Sequence, residues 1–360
     1  MVARELALTD FRNILQEKIE FSPGINIFHG ANGQGKTSLL EAIHTLCFTR
    51  SFRERSDQVI QNYAGRGYEI AGVFTDEHKE FVLKAIFKEQ KKKLFLNQSP
   101  IHRKSEIMGL VPVSVLTPGH LSLTLGGPVA RRAYLDSVLS QVFPVYLDSL
   151  NKFKEGIRHK NLILQRYRKT DFELLSSWNT TLSANIEIIN QYRQKYIDWS
   201  NDLIAGIYQQ ISGKQHDLKV TFEPSLPATK DAVFSVLQEA APDEIEKAVS
   251  LLGPHRDDIK ITLNNMPVRR NGSQGENKTA VITLKILEIN YLRSFSKQNP
   301  IILLDDIFSE LDIHRTQNLI DVVAEKGQVF ITSTQAWDFL AEERQEIAYY
   351  TVIAGKVAAA

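Results

Sequence analysis

The chain has 360 residues, more than one hydrophobic core usually serves, so two lobes are expected. Its 43 Lys and Arg residues against 42 Asp and Glu leave a net charge of +1, so any polyanion partner must be met by a local basic patch and not by bulk charge. The single cysteine, Cys47, excludes an internal disulfide framework. Residues 1–5 carry no apolar signal core and no stretch reaches ~18 uninterrupted apolar residues, so no membrane anchor is expected and a cytoplasmic setting is.

In chain order, Leu6 and Leu8, Ile19 and Phe21, and Ile25 with Phe28 mark short strands around turn signals such as Ser22-Pro23-Gly24. The strand at 24–28 runs into Gly30-Ala31-Asn32-Gly33-Gln34-Gly35-Lys36-Thr37, a complete G-x-x-x-x-G-K-T phosphate loop, and helix-spaced residues follow from Thr37 and Ser38. Such a loop works through backbone geometry: glycines let successive N–H groups turn inward around phosphates, and the helix N-terminus adds partial positive charge. Residues 30–38 are therefore expected to hold a nucleoside triphosphate, with Lys36 on the β- and γ-phosphates and Thr37 on Mg²⁺.

Segments 68–74, 80–87 and 94–96 then read as a β-meander, and 111–116 as a buried strand. Beyond Pro118 the spacing turns helical. The stripe from 146 to 168 predicts one helix, and apolar steps from Leu182 to Ile207 predict a second long one packed antiparallel to it. Pro224, Pro227 and Pro242 break the chain, and alternation resumes at 258–263.

Ile301-Ile302-Leu303-Leu304-Asp305-Asp306 has the form of a buried parallel strand ending in carboxylates. Asp305 is expected to hold Mg²⁺ and Asp306 to orient a water for attack on the γ-phosphate. A further strand at 329–334 ends in hydroxyl residues suited to sensing that phosphate. Lys36 and Asp305 lie 269 positions apart (305 − 36), so a large insertion separates the two halves of the site. Near the end of that insertion, Ser273-Gln274-Gly275-Glu276 combines a capping box with an anion-binding helix start, 32 positions (305 − 273) ahead of Asp305. This matches the signature turn of ABC-type ATPases, which contacts the γ-phosphate held by the opposite subunit and so implies an ATP-dependent homodimer.

The sequence as a whole resembles the RecF family of bacterial recombinational-repair ATPases, in the group that includes the ATPase heads of structural-maintenance-of-chromosomes proteins. The resemblance rests on Asp10-Phe11-Arg12-Asn13, Gly30 to Thr37 with Glu41-Ala42-Ile43, Gly127-Pro128 with Arg131-Arg132 and Leu135-Asp136, Gly253-Pro254-His255-Arg256-Asp257-Asp258, Ser273-Gln274-Gly275, and the run from Leu303 through Asp312. It implies an α/β fold: an ABC-type ATPase head with a mixed-sheet phosphate-loop lobe (1–112 and 295–360), a mainly helical second lobe (113–294) bearing the signature turn, and no long coiled coil.

The same resemblance implies catalytic roles for Lys36 and Asp306, Mg²⁺ ligation by Thr37 and Asp305, contact of Ser273 and Gly275 with the partner's γ-phosphate, and approach of Arg12 to the nucleotide. It further implies a slow ATPase that binds double-stranded DNA and its junctions with single strands, dimerises on ATP, and works with RecO and RecR to load recombinase. Two departures stand out: Glu276-Asn277 where the family has Gln-Gln, and Pro118-Gly119-His120 where it has Pro-Glu-Asp.

Candidate DNA-facing cations are Lys88, Lys91-Lys92-Lys93 in an expected hairpin turn, His102-Arg103-Lys104, and Arg158, His159, Lys160, Arg166, Arg168 and Lys169. Without a helix-turn-helix or zinc motif, contact with the phosphate backbone is the expected mode. The competing readings are a transporter-type ABC subunit, which would carry Glu at 306 and a His in the later strand, and a small-molecule phosphotransferase, for which Arg50 and Arg53 are the nearby candidate clamps.

Overall fold

The structure is a computed structural model and describes residues 1–63, 65, 67–77, 79–166, 171–308, 311–334 and 347–360. Of the residues singled out above, Arg168, Lys169, Ser309 and Glu310 lie outside the described residues. The chain forms two compact units, one of residues 1–120 with 284–360 and one of residues 121–283.

The first unit opens with β1 (Val2–Phe11), β2 (Ile14–Glu20), β3 (Ile25–His29), helix α1 (Lys36–Phe48) and the short α2 (Asp57–Ile60). It continues through β4 (Tyr68–Thr75), β5 (Glu80–Lys88), β6 (Lys91–Leu96), β7 (Ser99–Ile101) and β8 (Val113–Leu116). The second unit begins with α3 (Ser122–Leu125), α4 (Pro128–Val142), α5 (Pro144–Gln165), α6 (Phe172–Asn201) and α7 (Ile204–Ser212). It goes on with β9 (Leu218–Glu223), α8 (Lys230–Glu239), α9 (Ala241–Lys247), β10 (Asp258–Leu263), β11 (Met266–Pro267) and α10 (Val268–Asn271). Helix α11 (Gln274–Ser296) leads back to the first unit, which closes with β12 (Ile301–Asp305), α12 (Ile313–Ala324), β13 (Val329–Ser333), β14 (Ile347–Ile353) and β15 (Lys356–Ala359).

Two six-stranded sheets build the first unit. One is antiparallel, ordered β2-β1-β4-β5-β6-β7; in the other, ordered β15-β14-β3-β13-β12-β8, all strands but β15 run parallel. Residues of β4 alternate between buried and half-buried, as a sheet with one covered face requires, whereas β12 and β13 are buried at every position, as parallel strands covered on both faces are. Helix α1 touches β1, β4 and β5 of the antiparallel sheet and β8, β12 and β13 of the parallel one. It is buried at every position but Thr37, so that Cys47 is inaccessible and even its polar residues Glu41, His44 and Thr45 lie inside. This burial fixes the helix whose N-terminus ends the phosphate loop.

Strand β13 lies between β3 and β12, so the phosphate-loop strand and the Asp305 strand are not neighbours. The register pairs Phe28 with Thr332 and Thr332 with Asp305, which brings all three carboxyl ends level.

The unit boundaries differ from the sequence expectation because β8 hydrogen-bonds in parallel to β12 and α11 from Leu284 onward packs in the first unit. The second unit also holds a three-stranded sheet, β11-β10-β9, beside its helices. The single helix expected through 182–207 is interrupted between α6 and α7. There the Asn201 side chain pairs with the Val220 backbone, donating to its carbonyl (2.8 Å) and accepting from its N–H (3.0 Å), which ties the end of α6 to β9. Lys91, Lys92 and Lys93 are strand residues of β6. The turn is Glu89-Gln90, both at positive φ (51° and 59°), a type I′ geometry that their side chains do not advertise.

The second unit is organised by buried charge. Arg193, 1% exposed, donates to Asp257 (2.7 Å), Asp136 (2.8 Å) and the Pro254 carbonyl (3.0 Å), while Arg131 grips Asp258 with two bonds of 2.7 and 2.8 Å. The Leu135-Asp136 and Gly253-to-Asp258 motifs are thereby explained as internal scaffold. Replacing Arg193 with Met strands Asp257 and is expected to cost about 3–5 kcal/mol; equilibrium urea unfolding of the variant against the parent measures it.

Candidate functional site

The carboxyl ends of β3, β12 and β13 and the start of α1 converge on a cavity of about 650 Å³. Asn32, Gly33, Gly35, Lys36, Thr37 and Ser38 line it from the phosphate loop, and Asp306 and Thr332 from the neighbouring strands. Gly30 and Gly35 sit at φ 151° and 112°; a Cβ would meet the Val352 carbonyl oxygen at 2.4 Å and the Asn13 side chain at 2.9 Å, respectively. The loop conformation therefore depends on glycine at both positions. The Lys36 ammonium lies across the loop, donating to the Gly30 (2.6 Å) and Ala31 (2.9 Å) carbonyls. Partial burial lowers its pKa, opposed by the charges of Asp306 and Asp305.

The two halves of the site join at one carboxylate. Asp305 Oδ1 accepts from the Thr37 hydroxyl (2.7 Å) and from the Thr332 hydroxyl (2.8 Å). Thr332 Oγ1 in turn accepts from the Asp306 N–H (2.9 Å), so β13 locks the end of β12. Burial raises the Asp305 pKa, and the bonds from Thr37 and Thr332 oppose it. Asp306 is held at φ 49°, a conformation that costs a non-glycine residue about 1 kcal/mol or more and recurs where function imposes it.

Arg12 lines the cavity, and three of its five N–H donors are held by the wall. It grips Glu41 with bonds of 2.9 and 2.7 Å and donates to the Val59 carbonyl (3.0 Å). Glu41 is fully buried and also accepts from the Ser51 hydroxyl. Arg12 thus orders the segment 57–63, whose Gln58, Val59, Gln61, Asn62 and Tyr63 form the far side of the cavity. The sequence reading missed these residues, which follow no motif; the Arg12-Asn13 pair that anchors them was visible only as part of a family motif. Gly30, Ala31 and Gln34 are not among the lining residues.

Ser273 and Gly275 belong to the other unit, at the start of α11. The expected capping box is present: Glu276 N–H donates to Ser273 Oγ (3.3 Å), and the Glu276 carboxylate accepts from the Ser273 N–H (2.7 Å) and hydroxyl (2.8 Å). Those bonds lower the Glu276 pKa. Of the cation candidates, Lys92 is consumed by Asp57 (2.7 Å) and the Thr49 carbonyl (3.1 Å), and Lys160 is fully buried against Glu244 (2.7 Å). His159 stacks on Trp178. Lys88, Lys91, Lys93, His102, Arg103, Lys104, Arg158 and Arg166 are exposed.

Fold and site together define an ABC-type ATPase head. A solved structure named as the recombination mediator protein RecF-ATP in the RecFOR pathway matches with a TM-score of 0.91 at 25% identity, covering 100% of this chain and 97% of that one. A structure of an Smc head bound to the C-terminal winged-helix domain of ScpA shares the fold, with a TM-score of 0.60 at 15% identity and coverage of 100% and 98%. Residues 2–353 match the RecF/RecN/SMC N-terminal domain model. Proteins named DNA replication and repair protein RecF are similar throughout: that of Heliobacterium modesticaldum is 33% identical, covering 99% of both chains, and that of Phocaeicola vulgatus 31% identical, covering 93% of this chain and 91% of its own. The chain belongs to the RecF family of DNA replication and repair proteins. No helix among the described residues is long and apolar enough to cross a membrane.

The Arg12–Glu41 pair supports the far wall of the cavity, and its loss is measurable without any ligand. Glu41→Ala leaves the Arg12 guanidinium uncompensated and is expected to destabilise the protein by about 3 kcal/mol, the low end for a broken buried pair since Arg12 keeps some solvent access. A thermal melt of the variant beside the parent reads this directly.

Proposed function

We propose that this chain is an ATP-dependent DNA-binding protein of recombinational repair, in which ATP draws two copies together around double-stranded DNA or a single-strand/double-strand junction. The observation that carries the nucleotide half of the reading is the Thr37–Asp305–Thr332–Asp306 cluster beneath a glycine-dependent loop. Family membership, and a similar protein whose solved structure is named RecF-ATP, support ATP as the nucleotide and DNA as the partner.

The residues fit a triphosphate with magnesium. Lys36 can exchange the carbonyls of Gly30 and Ala31 for β- and γ-phosphate oxygens, and the N–H groups of residues 32–38 supply further donors. The Thr37 hydroxyl and the Asp305 carboxylate, already 2.7 Å apart, are the protein ligands for Mg²⁺. That ion, when bound, neutralises charge on the β- and γ-phosphates. Asp306 then holds the attacking water, and Thr332 keeps the two aspartates aligned. Hydrolysis acts as a slow switch that releases the dimer. Ser273 and Gly275 contact the γ-phosphate of the second copy, and RecO and RecR are the partners for recombinase loading. The exposed cations on β5–β6, at 102–104 and on α5 are the candidate DNA contacts. The transporter and phosphotransferase readings are set aside by the family assignment.

Asp306→Asn is expected to bind ATP as the parent does, to stop turning it over, and to accumulate as a dimer in light scattering with ATP and Mg²⁺. Lys36→Ala, which loses charge-assisted bonds worth about 1.5–3 kcal/mol each, should stay monomeric under the same conditions. A dimer that ignores ATP, or double-stranded DNA binding that ignores it across a salt titration, contradicts the clamp. Glu276 competes with the partner's γ-phosphate for the Ser273 donors. Glu276→Gln keeps the cap and removes two like charges per dimer, so it should tighten ATP-dependent dimerisation by about tenfold at low salt, and less as salt rises.

A further inference from the structure

The phosphate loop does not stand alone at the end of β3. Strand β14 pairs in parallel with β3, matching Thr351 to His29, and its carbonyl at Val352 occupies the space a side chain on Gly30 would need. The two-residue turn from β14 to β15, Ala354-Gly355, has both residues at positive φ (48° and 80°), a type I′ hairpin whose N–H groups reach the loop. The Gly355 N–H donates to the Gln34 carbonyl (2.9 Å) and the Ala354 N–H to Gln34 Oε1 (2.5 Å). From the other side, Asn13 Nδ2 donates to the same Gln34 carbonyl (3.0 Å). A Cβ on Gly355 would meet the Asn13 carbonyl oxygen at 2.5 Å, so the two anchoring turns are themselves in close contact.

This arrangement has a stereochemical consequence. A carbonyl has two lone pairs, and here both are taken. The peptide is planar and trans, so its C=O and the next N–H point in opposite directions. Fixing the Gln34 carbonyl toward the hairpin and Asn13 therefore fixes the Gly35 N–H in the opposite sense, at a residue that, like Asn13, lines the cavity. Glycine at φ 112° supplies no bias of its own, so the orientation must come from outside.

We propose that Gln34 is a positioning residue that straps the phosphate loop to the β14–β15 hairpin, with Asn13 as the second anchor, and so pre-aims the Gly35 N–H at the phosphates. This replaces direct contact between the Gln34 side chain and nucleotide, and it rests on the reading of the cavity as an ATP site. The hairpin thereby becomes part of the nucleotide site, although none of its residues lines the cavity.

The test pairs two near-isosteric variants in the full chain. Gln34→Met keeps the length and removes the acceptor; Gln34→Glu keeps the acceptor. With ATP and Mg²⁺ in enough salt to screen the added charge, calorimetric titration of Gln34→Met should show ATP affinity reduced about fivefold or more, while Gln34→Glu stays within about twofold of the parent. The melting temperatures of the nucleotide-free proteins should agree within about 2 °C, which separates positioning from general destabilisation. Parent-like ATP affinity in Gln34→Met, or equal losses in both variants, overturns the strap and leaves the nucleotide site standing. A parent that does not bind ATP overturns both.

Discussion

Asp305 ends a strand that is buried on both faces, and its charge is tolerated there because two hydroxyls from different parts of the chain point at it. An unpaired carboxylate in such a place is costly, and burial does push its proton affinity up. Thr37 ties it to the phosphate loop and Thr332 to the intervening strand. Keeping these three residues level goes with the parallel register of β3, β13 and β12, the burial of α1 at every position but Thr37, and the left-handed turn at Asp306.

The family's charged motifs divide between the cavity and the internal scaffold. Around the cavity, Lys36 and Asp306 line the open space, and Asp305 accepts from the Thr37 and Thr332 hydroxyls. In the other unit, Arg193, Asp136, Asp257, Arg131 and Asp258 address one another, satisfied by geometry good enough to offset desolvation. Arg12 serves both, lining the cavity while Glu41 and Val59 hold three of its N–H groups.

What could be read from the sequence was what is local. The phosphate loop, the carboxylate-ending strand, the capping box at Ser273 and each strand of the β4–β6 meander declare themselves within a dozen residues. What could not be read depends on pairing at long range. Nothing near Val329 says that β13 inserts between β3 and β12, and nothing near Val113 says that β8 joins β12. Lys92 and Lys160 look like surface charges until Asp57 and Glu244 are brought to them by the fold. The turn at Glu89-Gln90 lacks the Asn or Gly that would have revealed it, and the break after Asn201 needs β9 to explain it.

The parallel sheet also sets a timetable for biosynthesis. The neighbour that must slot beside strand β3, β13, is 304 positions later (329 − 25). At roughly 5–20 residues per second, a ribosome leaves β3 without either of its partners for about 15–60 s. Such a strand is a template for wrong pairing during that interval. Nascent chains of this protein thus have reason to be shielded by chaperones over that interval, and the phosphate loop gains its fixed geometry only when β13 and β14 arrive beside β3.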